Sequence, residues 1–98
     1  AFKRFIGSET ARLRVAECGG AVIGYALVVF RSNVALARLY SMAVDPNFRQ
    51  KGIGRALVGQ AEELSLDYGA PILRLEVRQG NAVAIALFHG AGYREFAL

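Results

Sequence analysis

Cysteine is nearly missing from this chain. A single one, Cys18, in 98 residues excludes an internal disulfide framework and a cysteine-based zinc site. That usage fits a reducing, cytoplasmic compartment. Long apolar runs are missing too. Ala21 to Phe30 comes nearest to a membrane span, but a bilayer needs about 20 such residues, and the stretch reads as a strand. Lys3 and Arg4 precede Phe5-Ile6 with no apolar h-region behind them, so no signal peptide is read. Ala1 is not an initiator methionine, which reads as a processed chain or one cut from something longer. Dense runs of one charge are absent as well. Twelve cations, ten of them arginine, give a net charge of +4 but are scattered, without interleaved aromatics. Nucleic acid is therefore disfavoured as a partner and a small phosphorylated ligand favoured. No repeat, low-complexity segment or linker divides the chain. One domain is expected over residues 1–98, its core strands and helices starting near residue 12. Hydrophobic residues make up 54%, which argues against disorder, though so short a chain has a thin stability margin.

What is present reads as strand-strand-strand-helix-strand-helix-strand. Residues 1 to 10 are an amphipathic fragment, either a helix end or an extended lead-in. Arg12 to Glu17 alternates like a half-buried strand. Gly19-Gly20 separates it from the apolar run Val22 to Phe30, as a type I′ hairpin turn requires. That run is expected to be covered on both faces. Arg31-Ser32-Asn33 is a turn. Arg38 to Val44 is the third strand, ended by Asp45-Pro46-Asn47. In the next helix Ile53, Leu57, Ala61, Leu64 and Tyr68 form an apolar stripe, with Gln60, Glu63 and Asp67 toward water and Gly69 as C-cap. Pro71 to Arg78 alternates strictly, Leu73, Leu75 and Val77 against Arg74, Glu76 and Arg78. Asn81 caps a second, alanine-rich helix, stopped by Gly90 and Gly92. Tyr93 to Leu98 reads as a fifth strand. The third and fourth strands, joined by a helix, should be parallel neighbours with a right-handed crossover, and the first three an antiparallel meander. The fold class is α/β (α+β), with a mixed, mostly antiparallel sheet.

The organising stretch is Arg49-Gln50-Lys51-Gly52-Ile53-Gly54-Arg55. Strand, glycine-rich basic turn and helix together form a device for holding phosphate. Glycine lets backbone approach an anion, and the first helical turn offers free N–H groups and a positive dipole end. Two standard versions fail. A P-loop needs Gly-Lys followed by Ser or Thr, and here Lys51-Gly52 is reversed with no hydroxyl after it. A dinucleotide fingerprint needs a third glycine where Leu57 stands, and no acidic residue ends the next strand.

Arg49, Gly52 and Gly54 do meet the pattern Arg/Gln-x-x-Gly-x-Gly/Ala. With Leu75-Glu76-Val77-Arg78 and Asn81, and with Ala84-Ile85-Ala86-Leu87-Phe88 and Gly92-Tyr93, the chain from about Arg12 to Leu98 resembles the GNAT superfamily of acetyl-CoA-dependent N-acetyltransferases. It looks most like the ribosomal-protein alanine N-acetyltransferase branch. The resemblance implies the acyl-CoA N-acyltransferase fold, acetyl-CoA as co-substrate, no metal, and a primary amine as acceptor: a protein N-terminus, a lysine or a small amine.

The resemblance also implies roles. N–H groups of Gln50, Lys51, Gly52, Ile53, Gly54 and Arg55, with Arg49 nearby, would hold the coenzyme pyrophosphate. The family splays the strands matching Leu39–Val44 and Leu73–Val77, and the pantetheine arm lies between them. Met42 and Val44 would pair with its amides, and an N–H at Met42 or Ala43 would stabilise the oxyanion. Asn81 matches a coenzyme contact. Glu76 matches the general base, needed because amines are mostly protonated at neutral pH. Its other reading is an ion pair with Arg74 or Arg78. Phe88 stands where many members carry a thiolate-protonating tyrosine. Water or Tyr40 would take that task, or the enzyme is slow or inactive. The alternative function is a non-catalytic coenzyme A-binding module or a fragment of a larger protein. Family members carry a strand and one or two helices before the segment matching Arg12–Cys18, and a last strand beyond that matching Tyr93–Leu98. Their lack here implies a trimmed chain or a homo-oligomer that completes the sheet.

Overall fold

A computed structural model describes residues 2–6, 11–30, 35–49, 52–77 and 80–93. Five strands form one sheet in the order of the chain: β1 (Phe2–Ile6), β2 (Ala11–Cys18), β3 (Ala21–Phe30), β4 (Leu36–Val44) and β5 (Ile72–Arg74). Helices α1 (Ile53–Tyr68) and α2 (Ala82–Gly90) are the α-helices among the described residues. The first four strands are antiparallel, and β5 is parallel to β4. The mixed sheet and the parallel pair agree with the sequence reading. At the start of the chain the extended lead-in is the reading that holds, while the expected lack of a preceding strand is corrected. Phe2–Ile6 is a paired strand on β2, so a strand does precede the segment at Arg12. The turn at Arg31-Ser32-Asn33, Gln50, Lys51, Arg78 and the strand expected over Tyr93 to Leu98 (all but Tyr93 itself) lie outside the described residues.

The β2–β3 hairpin turns on Gly19 and Gly20, both at positive φ (57° and 84°) as a type I′ turn demands. On β3 the even positions Gly24, Ala26, Val28 and Phe30 are buried, while Tyr25, Leu27 and Val29 are half-buried. The expectation of full cover therefore holds on one face. That face lies beneath α1, whose Leu57, Val58, Ala61, Leu64 and Ser65 are buried. Each fully buried leucine or valine contributes about 1.5–3 kcal/mol. Tyr68 ends the stripe, stacked on Phe30 with ring centroids 4.0 Å apart. Ser65 ties the helix end by donating to the carbonyl of Ala70, and Gly69 caps it at φ 95°.

Glu63 and Asp67 face water as expected, but Gln60 does not fully do so. It accepts a hydrogen bond from Nη1 of Arg14, a β2 side chain 5% exposed beneath α1. Glu63 Oε1 stands 3.7 Å from the same nitrogen. Burial of a guanidinium requires such partners. Gln60 thus serves the packing between helix and sheet.

Two local devices bring α1 and β4 into position. Asp45 accepts from the N–H of Asn47 at 2.9 Å, closing a single 3₁₀ turn over Pro46–Phe48. Gly24 lets the sheet approach the helix: a Cβ there would stand 3.0 Å from both the carbonyl oxygen of Ala43 and Cδ1 of Leu57. Backbone on one side leaves no room to yield. Gly24→Ala should therefore destabilise the fold by about 1–3 kcal/mol. Urea unfolding should show a lower midpoint with an unchanged slope.

Candidate active site

The ladder between β4 and β5 is three residue pairs long: Leu36↔Ile72, Ala37↔Leu73 and Arg38↔Arg74. Of the expected fourth strand, Pro71 to Arg78, the described residues pair only over Ile72–Arg74. Beyond Arg38 the two segments part. β4 runs on along β3, and residues 75–77 leave the sheet. The β4 edge facing them keeps its N–H and C=O groups outside any described ladder. The gap is a cleft of about 210 Å³. Leu39, Tyr40, Ser41 and Met42 form one wall, Leu75, Glu76 and Val77 the second, and Asn81, Ala84, Leu87 and Phe88 of α2 the third.

A β-bulge shapes the β4 wall. Leu27 pairs with Ser41 and Val28 with Leu39, so Tyr40 is the extra residue. Tyr40 is 61% exposed at the cleft. Past the bulge, Met42 and Val44 pack against the core while Ala43 is exposed. The cleft therefore gathers Met42, Glu76, Asn81 and Phe88. Asn81 also caps α2, accepting from the N–H of Ala84 at 3.1 Å.

The described part of the glycine-rich loop after Arg49, Gly52 to Arg55, lies at the head of α1. Gly52 is the N-cap at φ 77°, where a side chain would be strained, and it provides no side-chain cap. The first intrahelical bond runs from Ala56 N to Gly52 O at 3.0 Å, so the N–H groups of Ile53, Gly54 and Arg55 have no acceptor inside the helix. No acidic residue sits in that turn to compete with an anion. Gly54 joins this head to the cleft. A Cβ on it would be 3.3 Å from Cδ2 of Leu87 and 3.9 Å from Cγ2 of Val44. Arg49 is exposed. The Arg55 guanidinium donates to the carbonyl of Gly90 at 2.9 Å, placing a cation on the negative end of α2.

Glu76 pairs with Arg38, Nη2 to Oε1 at 3.0 Å, a partner from β4 beyond the two arginines expected from its own segment, of which Arg78 lies outside the described residues. Both side chains are about half exposed. Sequence reading missed Arg38 because 38 residues separate it from Glu76. Only the parallel register, seen in the structure, sets Arg38 beside Arg74 and so near the carboxylate two residues on. Phe88 is buried and meets Tyr93 edge-to-face at 5.6 Å. The Tyr93 hydroxyl donates to Glu62 Oε2 at 3.0 Å. Among the described residues no group of His, Cys, Asp and Glu could hold a metal ion, and no helix is long and apolar enough to cross a membrane.

Comparison with known proteins gives concordant findings. The sequence model described as the acetyltransferase (GNAT) family matches residues 2–93. The Escherichia coli protein named ribosomal protein bS18-alanine N-acetyltransferase is 42% identical over 59 residues, 60% of this chain and 40% of that one. The chain thus matches well under two thirds of that relative's length. The crystal structure of the ribosomal-protein alanine N-acetyltransferase from Escherichia coli superposes with a TM-score of 0.82 at 31% identity, covering 93% of this chain and 57% of that one. An aminoglycoside N-acetyltransferase in complex with CoA has the same fold, with a TM-score of 0.85 at 18% identity over 93% and 73% of the two chains.

Burial, and then the hydrogen bond to Glu62 and its charge, hold the Tyr93 phenol well above the ordinary tyrosine value. The unfolded tyrosine releases its proton near pH ~10 and the folded one later. Above that pH the unfolded state binds fewer protons, so stability falls as pH rises. Tyr93→Phe should cost about 1 kcal/mol or less at neutral pH. It should also flatten the alkaline loss in urea titrations and remove the last step of the tyrosine absorbance titration.

Proposed function

The chain belongs to the acetyltransferase (GNAT) family, and from that premise we propose that it transfers acetyl from acetyl-CoA to a primary amine by direct attack in a ternary complex. One observation carries this reading: the open edge of β4 faces Glu76 across a narrow cleft whose α2 wall abuts the uncapped head of α1. The cleft, about 210 Å³, lies below the ~300–1,000 Å³ of drug-sized pockets. The relative named for alanine acetylation and the related fold that holds CoA support the same donor and acceptor classes.

In this mechanism the N–H groups of Ile53, Gly54 and Arg55, with Gly52 and its neighbours Gln50 and Lys51, hold the pyrophosphate. Arg49 adds charge at the surface. Backbone groups of Met42 and Val44 pair with the coenzyme arm as an added strand would. Asn81 and Phe88 border the arm. The coenzyme supplies the acetyl thioester, and the acceptor amine displaces its thiol. An N–H at Met42 or Ala43 stabilises the negative oxygen that forms during attack. Glu76 takes the proton from the arriving ammonium, directly or through water. Phe88 has no proton to give, and Tyr93 is engaged with Glu62, so Tyr40 or water returns the proton to the thiol.

Buried Phe88 also favours a second reading, a coenzyme A-binding module without turnover. Thiol release from acetyl-CoA over a panel of amines and peptides separates the two, since binding without release for any acceptor leaves only the second. Coenzyme A at 100 times its Kd should raise stability by about 2.7 kcal/mol under either reading, seen as a higher melting temperature. An unchanged melting temperature would remove both. Glu76→Gln should slow transfer most at low pH, where the amine is protonated, while coenzyme affinity stays nearly intact. An unchanged pH–rate profile would remove Glu76 as base.

A further inference from the structure

We infer that Arg38 selects the acceptor. The mouth of the cleft takes amines with an anionic group close to the nitrogen, such as an N-terminus followed by Asp or Glu, over amines flanked by cations. This rests on reading the Glu76 end of the cleft as the acceptor side.

The argument begins with position. Arg38 and Arg74 are direct partners across the last rung of the parallel ladder, where the cleft opens. Glu76 follows two residues on and is the carboxylate among the cleft-lining residues. Arg38 brings a guanidinium to that carboxylate at the mouth. An acceptor that is a polycation meets repulsion there, whereas one with a carboxylate beside its amine meets attraction.

Arg38 is also held for recognition. Its Nη2 donates to Glu76 Oε1 at 3.0 Å, and its guanidinium carbon lies 5.5 Å from the centre of the Tyr40 ring. Carboxylate and ring fix the plane of the group from two sides, which lowers the entropy lost on binding. A guanidinium carries five donors in a fork that matches a carboxylate with two parallel bonds. Arg38 spends one nitrogen on Glu76, and with its side chain 48% exposed it presents the rest of the fork to solvent. An acidic group on the acceptor that engages this fork also competes with Glu76 for Arg38. Recognition thereby frees the carboxylate as the amine arrives beside it.

The test uses the protein saturated with coenzyme A and three peptide amides, Ala-Asp-Ala, Ala-Ala-Ala and Ala-Lys-Ala, with affinity measured by calorimetry. The wild-type protein should bind the aspartate peptide about tenfold more tightly than the lysine peptide. Higher salt should narrow the ratio. Arg38→Gln should bring it near one, and Arg38→Glu should reverse it, with coenzyme affinity unchanged as the check that each variant is folded. Arg38→Lys should keep the preference but reduce it, because a point charge replaces the fork. The same peptide order in the wild type and in Arg38→Gln and Arg38→Glu would overturn the inference, as would failure of all three peptides to bind. Thiol release is measured alongside. Selective binding without release would leave this inference standing and remove the acetyl-transfer reading instead.

Discussion

Three rungs of parallel pairing decide the use of this fold. Leu36, Ala37 and Arg38 hold Ile72, Leu73 and Arg74, and there the ladder ends. Had pairing continued, the β4 edge would be satisfied by its neighbour and no cleft would exist. Because it stops, a row of backbone donors and acceptors faces a gap walled by apolar side chains. Unpaired strand edges are usually a liability. Here the edge lies inside a groove, where a narrow ligand can take the place of the neighbouring strand.

The two helices make that gap usable. α1 covers the sheet closely because Gly24 leaves room for Leu57, and its uncapped first turn lies against the α2 wall through Gly54 and Leu87. Two polar ties then join the helices, Arg55 to the carbonyl of Gly90 and Tyr93 to Glu62. The head of α1 and the cleft wall are thus parts of one fastened unit. Free N–H groups at one end and a shaped slot at the other follow from the same pair of helices.

Much of this was legible in the chain because it depends on neighbours in sequence. Gly19-Gly20, Gly69 and Asn81 are local devices, and each does in the structure what its residue type favours. The parallel pair was legible from the intervening helix. What was not legible depends on register. Alternation over Arg12 to Glu17 marks a strand but does not say which face a helix will cover, so Arg14 beneath α1 could not be foreseen. Strict alternation from Leu73 to Arg78 signals an extended chain equally well in or out of a ladder, so the early end of β5 was also hidden. The ion pair of Glu76 with Arg38 is of this second kind. Phe88 was legible as a departure from the family pattern. Its burial against Tyr93 shows that the position also serves packing.

Tyr40 carries one more consequence. A strand is a two-state code of inward and outward positions, and an extra residue flips its parity. Before the bulge the odd positions Ala37 and Leu39 point to the core, and after it the even positions Met42 and Val44 do so. One inserted residue therefore lets a single strand be written in two phases, one matched to β5 and the other to the cleft. Any relative that lacked it would need every residue from 41 to 44 changed from core to surface type or back. The bulge is in that sense a frame marker, and its place in the chain is fixed more tightly than the identity of the tyrosine that fills it.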